Sequence, residues 1–123
     1  MIKIYCMFRL RDPWISRKVR EYIERIKRYE RVEIIENVKN IPEDAILLDE
    51  RGVSLTSHEF AEKIRKDLSL VVGPPEGFND REREKHELLS LSRMTIQHEL
   101  ALLLLVEQVY RAITINSCLL YTS

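Results

Sequence analysis

The chain has 123 residues, 45% of them hydrophobic and 33% charged, and its Lys+Arg total of 20 equals its Asp+Glu total of 20. This length and composition predict one ordinary soluble domain. The apolar run at residues 100–106 is far shorter than the roughly 20 residues of a membrane span, and the opening MIKIYCMF lacks the long apolar core of a signal peptide, so neither feature is expected. Cys6 and Cys118 have no CxxC spacing, so a reduced, cytoplasmic setting is expected.

The first strand is predicted at residues 2–8, with Ile2, Ile4 and Cys6 on one face and a near-continuous apolar pattern typical of a strand covered on both faces. Asp12 and Pro13 then predict a helix start, with the Asp as N-cap and the Pro at the first helical position. The core stripe of this helix consists of apolar residues at helical spacing: Ile15, Val19, Tyr22, Ile23, Ile26 and Tyr29.

The other face of this first helix is strongly charged. Residues 9–31 contain nine basic and four acidic residues, which gives a net charge of +5 and leaves −5 for the rest of the neutral chain. That asymmetry is typical of a phosphate-binding surface. The alternative is a solvated helix with i,i+4 ion pairs such as Glu21/Arg25 and Glu24/Arg28.

The second and third strands are predicted at residues 32–38 and 45–49, joined by a short polar turn at residues 37–44. Two strands joined by so few residues pair more easily in an antiparallel manner. Antiparallel pairing is therefore an expectation at this corner of the fold.

The middle of the chain carries a predicted capping box, in which Thr56 and Glu59 begin a helix over residues 57–67. A fourth strand is predicted at residues 68–73. Asn79 then caps a short helix, with Glu82 at its third position and no apolar face. With a fifth strand and a last helix, the order strand, helix, strand, strand, helix, strand, helix, strand, helix is the α/β pattern.

The last helix begins at His98 and is apolar nearly all round, which indicates that it is covered on more than one side. A chain of this length buries only about two thirds of its unfolded surface, so a helix wholly enclosed in one domain is difficult to accommodate. We therefore expect residues 100–109, from Leu100 to Val109, to pack against a partner subunit in a homodimer. A central helix inside one domain is the alternative.

The turn at residues 73–77, GPPEG, is not a P-loop, and no GxGxxG motif is present. A ligand without phosphates, held by backbone groups, stays possible. Gly73 permits close approach of the backbone, and residues 91–96 can offer hydrogen bonds to an adenine edge. The alternative is a tight turn without a ligand. His58, His86 and His98 lack metal-ligand spacing, so no metal is expected.

Four blocks in this order, LLDERG, VVGPPEG, SLSRMTIQHEL and VEQVYRA, resemble the ribosomal RNA large subunit methyltransferase H family of the knotted SPOUT class. The resemblance implies one α/β domain over residues 1–123, with helices on both faces of the sheet and a trefoil knot near the C-terminus. The domain is shortened between the second and third strands, where the family usually has a helix. The implied reaction is methyl transfer from S-adenosylmethionine to N3 of a pseudouridine in large-subunit (23S) ribosomal RNA.

The resemblance also implies site residues. The cofactor contacts fall after the third, fourth and fifth strands: Leu48, Gly73, Leu91, Ser92, Arg93, Met94, Thr95 and Ile96. His98 is interpreted as positioning the cofactor loop. Beside a suspected RNA enzyme, the basic helix is interpreted as an RNA-binding surface, and the RNA contacts are Arg17, Lys18, Arg25, Arg28 and Tyr121. No residue is assigned as the general base, and Glu107 is expected to pair with Arg111.

The C-terminal residues depart from the family pattern, because Tyr121 matches it but Cys118, Thr122 and Ser123 do not. The uncharged end is a poor RNA contact. A catalytically weakened, dimeric RNA- or cofactor-binding protein of the same fold is therefore the alternative to an active methyltransferase. A module that binds a protein partner and no small ligand is a third possibility.

Overall fold

The computed structural model describes residues 1–122, with the side chains of residues 1–118. The predicted RNA contact Tyr121 and the atypical residues Thr122 and Ser123 lie outside the residues with described side chains. The elements in chain order are β1 (Ile2–Cys6), α1 (Pro13–Ile26), β2 (Val32–Ile35), β3 (Ile46–Ser54), α2 (Ser57–Lys63), β4 (Leu68–Val72), α3 (Asp80–Lys85), β5 (Glu87–Ser90) and α4 (His98–Thr122). This order and the α/β class are as predicted.

The strands form one parallel sheet in the order β2-β1-β4-β3-β5. β1 pairs with β2 on one side and with β4 on the other, which places it inside the sheet. β3 lies between β4 and β5. The carboxyl ends of parallel strands share one edge of the sheet, where ligands of open α/β proteins collect.

Two helix starts follow the local sequence signals. The Asp12 side chain accepts hydrogen bonds from the backbone N–H groups of Trp14 and Ile15, at 2.9 and 3.1 Å. Thr56 and Glu59 form a reciprocal capping box at the start of α2. Both caps satisfy backbone donors that a helix leaves unpaired, and both predictions are confirmed.

The larger hydrophobic core lies between one face of the sheet and α1, α2 and α4. Ile2, Ile4 and Cys6 of β1 are completely buried on this face, as predicted. The predicted α1 stripe is confirmed for its buried members, but Tyr29 is 54% exposed. The helix ends at Ile26, so the helical spacing no longer applies at residue 29.

The opposite face carries a smaller core of Ala45, Leu47, Val71 and Phe78. Its helical cover is the short α3, which has no buried residue and begins with a second capping box at Asn79. Coverage of the two faces is therefore unequal. Loop residues cover the part of this face that α3 does not cover.

The expected antiparallel pairing of β2 and β3 is wrong. β2 lies at one edge of the sheet, and β1 and β4 separate it from β3. About ten extended residues reach roughly 33 Å, which suffices to cross three strand spacings of about 4.8 Å. The crossing starts at Asn37, which has a positive φ of 57° and donates from its backbone to Phe8.

α4 is covered on one side within the single chain, and the cover of a second side by a partner subunit stays a prediction. Leu102, Leu105, Val106 and Val109 have no exposed surface in the single chain, because α1 and α2 cover that side. By length and composition alone, the segment His98–Cys118 could cross a membrane, but the core helix of a soluble protein passes the same test. The outer side of α4 is still available to a partner, with Leu100 45% exposed. The trefoil knot stays a prediction.

Candidate functional site

A cleft of about 440 Å³ opens beside the bulge of β3 and the carboxyl ends of β4 and β5. Its walls are three loop segments, at residues 48–50, 73–78 and 91–98. All the residues predicted from the family resemblance as cofactor contacts line this cleft, with the exception of Arg93, which is exposed and is not part of the lining. Residues from three distant parts of the sequence are thus brought to one place.

The wall after β4 is a tight turn. The backbone N–H of Gly77 donates to the carbonyl of Pro74 at 2.8 Å, and Gly77 has φ +78°, a conformation that favours glycine. At Gly73 a Cβ would lie 3.0 Å from ring atoms of Phe78. The Phe78 ring, buried in the smaller core, is thereby packed directly against the backbone at the end of β4.

The wall formed by β3 is a bulge inside the strand. Leu48 and Val53 both oppose Leu89 of β5, so residues 49–52 project out of the pairing. A Cβ on Gly52 would lie 2.5 Å from the carbonyl carbon of Leu88, which is closer than any side chain can approach. Glycine at this position permits the bulge, and the bulge brings Asp49 and Glu50 to the cleft.

The third wall is the loop between β5 and α4, which is held by its own side chains. The Ser90 hydroxyl donates to the carbonyl of Ser92 at 2.9 Å, and the Ser92 hydroxyl accepts from the backbone N–H of Met94 at 3.0 Å. The Thr95 hydroxyl donates to Oε2 of Glu50 at 2.7 Å. This last bond ties the loop to the β3 bulge across the cleft.

The charged groups of the cleft are Asp49, Glu50, Glu76 and Arg83, which sequence reasoning did not select. Arg83 Nε lies 2.8 Å from Oδ2 of Asp49, and this hydrogen bond is the main cause of the raised pKa of the Arg83 guanidinium. Glu50 and Glu76 form no ion pair among the described residues. A usable signal was the acidic pair DE that follows the apolar run at residues 46–48 within one strand.

The floor of the cleft reaches the start of α1 through His98 and Glu99. The His98 ring packs edge-on against Phe8, with ring centroids 4.6 Å apart. Glu99 is only 7% exposed, and its Oε1 accepts from the backbone N–H groups of Arg11 and Asp12 at 2.9 and 3.0 Å. The first turn of α4 therefore fixes the loop between β1 and α1.

The predicted RNA contacts on α1 differ in their surroundings. Arg17 and Arg28 are exposed and form no ion pair among the described residues, while Lys18 lies 3.4 Å from Glu21. Arg25 stacks over the rings of Tyr22 and Tyr110.

The ion pairs expected for a merely solvated helix, Glu21/Arg25 and Glu24/Arg28, are not formed. Glu24 lies 3.9 Å from Lys27 instead. On α4, the expected pair of Glu107 with Arg111 is confirmed at 3.1 Å. In the described part of the chain, no group of three His, Cys, Asp or Glu residues is placed to hold a metal ion.

Comparison with known proteins places all these walls in one segment that a family model matches. The family model described as "Predicted SPOUT methyltransferase" matches residues 37–121, which include every wall of the cleft. The ribosomal RNA large subunit methyltransferase H of Coprothermobacter proteolyticus is 34% identical, with 93% of each chain covered. The proteins of that name from Kosmotoga olearia and Anaeromyxobacter sp. (strain Fw109-5) are 45% and 48% identical over 64% and 59% of this chain. This chain spans about half the length of these last two relatives, 56% and 52%.

Proposed function

Because the chain belongs to the SPOUT methyltransferase family, we propose that it transfers a methyl group from S-adenosylmethionine to N3 of a pseudouridine in large-subunit ribosomal RNA. The observation that carries the proposal is the cleft between the bulge of β3 and the carboxyl ends of β4 and β5, whose walls lie within the matched residues. The relatives' name supplies the class of RNA. The position of the methylated atom follows from the family resemblance.

The cleft suits S-adenosylmethionine in size and in chemistry. Its volume of about 440 Å³ lies within the roughly 300–1,000 Å³ of ligand pockets. Leu48, Leu91 and Ile96 offer apolar surface for an adenine ring, beside loop backbone that can hydrogen-bond to its edge. Glu50 and Glu76 bring negative charge to the cleft, which would attract the sulfonium and the amino group of the cofactor. When bound, the cofactor supplies an electrophilic methyl group.

The chain itself contributes to the reaction by positioning the reacting groups. Methyl transfer is an in-line displacement, so its rate depends on holding the two reacting atoms in line, about 3–3.5 Å apart. The Glu50–Thr95 hydrogen bond and the Ser90 and Ser92 bonds fix the loop that would hold the cofactor. His98, which is locked on Phe8, sets where that loop meets α4.

The RNA and a second subunit occupy other surfaces in this proposal. The basic segment at residues 9–31 offers Arg17 and Arg28 to phosphates, and the outer side of α4 around Leu100, Leu103 and Leu104 packs against a second copy. Leu103 and Leu104 are only partly covered in the single chain. The chain would then work in the cytoplasm, on ribosomal RNA or on the ribosome, as a homodimer.

The experiment has two arms. Isothermal titration of the protein with S-adenosylmethionine tests the cleft, and transfer of labelled methyl groups to ribosomes that lack the modification tests the reaction. Ile96→Arg should abolish cofactor binding, because it fills the cleft. Val53→Arg should not, because Val53 is 65% exposed and lies outside the lining.

Binding together with transfer supports the proposal. Cofactor binding without transfer would contradict it and would favour the weakened, dimeric binding protein. Absence of cofactor binding by the unmodified chain would rule out both of these functions. It would leave the third possibility, a module that binds a protein partner.

A further inference from the structure

The loop between β1 and α1 is exposed and yet firmly held. Three successive backbone N–H groups, those of Leu10, Arg11 and Asp12, each donate to a carboxylate oxygen, at 2.7, 2.9 and 3.0 Å. The acceptors are Glu36 for the first group and the buried Glu99 for the other two. A surface loop fixed at three consecutive positions presents its side chains in one arrangement, which is the property of a preorganised contact surface.

Two exposed cations of this loop, Arg9 and Arg11, and two exposed residues of the adjoining α1, Trp14 and Arg17, form one patch. Trp14, in the first turn of α1, is 54% exposed. This exposure is unusual because the Trp ring is the largest apolar side chain and is mostly buried in folded proteins. Arg9, Arg11 and Arg17, which are close to Trp14 in the sequence, are also exposed. None of these three guanidinium groups forms an ion pair with a carboxylate among the described residues. Asp12, the acidic residue between them, is engaged in capping α1.

This patch lies at the same edge of the sheet as the cleft. Arg9 and Arg11 follow the carboxyl end of β1, and β1 pairs with β4, whose carboxyl end forms a wall of the cleft. Glu99 holds the loop from the residue next to His98, which lines the cleft. A polynucleotide bound on the patch would therefore enter the methyl-donor site from this side.

We propose that Trp14 is a stacking platform for an unpaired base of the RNA substrate, with Arg9, Arg11 and Arg17 contacting the adjacent phosphates. Exposed aromatic rings surrounded by cations are how proteins bind single-stranded nucleic acid, because every base offers a face for stacking. A two-fold contact of the patch with a second copy would instead bring identical arginines together. The inference rests on the proposed function and names the form of RNA that the enzyme takes: a loop or single strand at this position, and not a regular duplex.

The chain contains one Trp, so its fluorescence reports on this position alone. The protein is titrated with a single-stranded RNA oligonucleotide and with a duplex of the same length, in 0.1 M salt. We expect the single strand to quench the fluorescence of Trp14 and the duplex to leave it nearly unchanged. By gel shift, Trp14→Ala should lower affinity for the single strand about tenfold. Tyr29→Ala is the matched control, since Tyr29 is also 54% exposed and lies beyond the other end of α1.

Cofactor titration and sedimentation of Trp14→Ala complete the test. Unchanged cofactor affinity and an unchanged oligomeric state, together with weaker RNA binding, support the stacking role. A shift of Trp14→Ala to a smaller oligomer would show that a second copy covers the patch, and would overturn the proposal. Equal quenching by duplex and single strand would overturn it as well. A different result would refute the proposed methyl transfer, namely the absence of cofactor binding by the unmodified chain.

Discussion

The guanidinium of Arg83 donates a hydrogen bond from Nε to Oδ2 of Asp49 over 2.8 Å, and this ion pair joins α3 to the end of β3. The Asp49 side chain is only 6% exposed, and its other oxygen accepts from the backbone N–H of Arg51 at 2.9 Å. α3 has no buried residue. The ion pair with Asp49 therefore attaches α3 to the sheet, whereas an ordinary helix is attached by burial of an apolar face.

The first prediction concerns this ion pair. Arg83→Gln should weaken binding of S-adenosylmethionine about tenfold, since α3 follows the cleft wall at residues 73–78 and hydrogen bonds to charged groups contribute roughly 1.5–3 kcal/mol. Arg83→Lys should restore part of the affinity. Isothermal titration measures both variants.

The control for that prediction is Arg81→Gln, on the same helix, because Arg81 is exposed and has no ion-pair partner among the described residues. Hydrogen exchange of residues 74–85 without cofactor gives an independent measure, and it should rise in Arg83→Gln only. If both variants bind the cofactor as the unmodified chain does, α3 is not held through Arg83.

What the sequence predicted well is local. The Asp12 cap and the two capping boxes depend on residues two or three positions apart, and all are formed. The prediction that Tyr29 belongs to the buried stripe of α1 was wrong, because helical periodicity alone does not mark where a helix ends. The cleft residues carried by the family resemblance came together because their segments follow adjacent parallel strands.

What the sequence did not predict depends on contacts between distant residues. The pair of Asp49 and Arg83 spans 34 positions, and the bulge is defined by the register of β3 against β5. The apolar pattern of α4 shows that several sides are covered, but it does not say which neighbour covers each. Leu102 and Leu105 lie within the segment that was predicted to pack against a partner, but α1 and α2 bury that side within the chain.

The second prediction is that Gly52→Ala destabilises the protein strongly. A Cβ there would meet backbone atoms of Leu88 and Leu89 at 2.5–2.7 Å, and the backbone of β5 cannot move aside without loss of its pairing with β3. The free energy of unfolding should fall by about 2–3 kcal/mol, as expected for overpacking. Urea denaturation followed by circular dichroism measures it.

Gly77→Asn is the matched control for Gly52→Ala. Gly77 has φ +78°, and its added Cβ would have no heavy atom within 4 Å. Asn tolerates this left-handed conformation, so we expect a change below about 1 kcal/mol. Equal stability of Gly52→Ala and the unmodified chain would show that the bulge does not need glycine.

The third prediction tests the proposed homodimer at Leu100, which is 45% exposed on the outer side of α4. Leu100→Glu should give a monomer, because an unpaired charge in a desolvated interface is strongly unfavourable. Leu103→Glu and Leu104→Glu should also prevent association. Leu103, however, packs against the core, so its substitution would disturb the fold as well. Sedimentation at micromolar concentration measures the state.

Val53→Glu is the control for the interface, because it adds the same charge at a residue that is 65% exposed on the sheet. It should sediment like the unmodified protein. An unmodified chain that is monomeric at micromolar concentration would refute the dimer through α4. Dissociation of both variants would mean that added negative charge, and not the outer side of α4, is responsible.

The last prediction is a loss of stability at alkaline pH through Cys6. Burial, with a smaller contribution from Glu36, raises the pKa of the Cys6 thiol from 9.0 to about 12. The folded protein thus keeps the thiol protonated where the unfolded chain loses its proton. The stabilisation is complete below pH 9 and is lost as the pH rises toward 12, at about 1.4 kcal/mol per pH unit. At pH 10.5 the free energy of unfolding should therefore be about 2 kcal/mol lower than at pH 8 because of this thiol.

Cys6→Ala should be less stable at pH 8, since it leaves a cavity, but its stability should fall less steeply between pH 8 and 10.5. Cys118→Ala should follow the unmodified chain, since Cys118 is exposed. Urea denaturation of the three proteins at both pH values decides the question, and parallel losses in all three would mean that Cys6 does not titrate on unfolding.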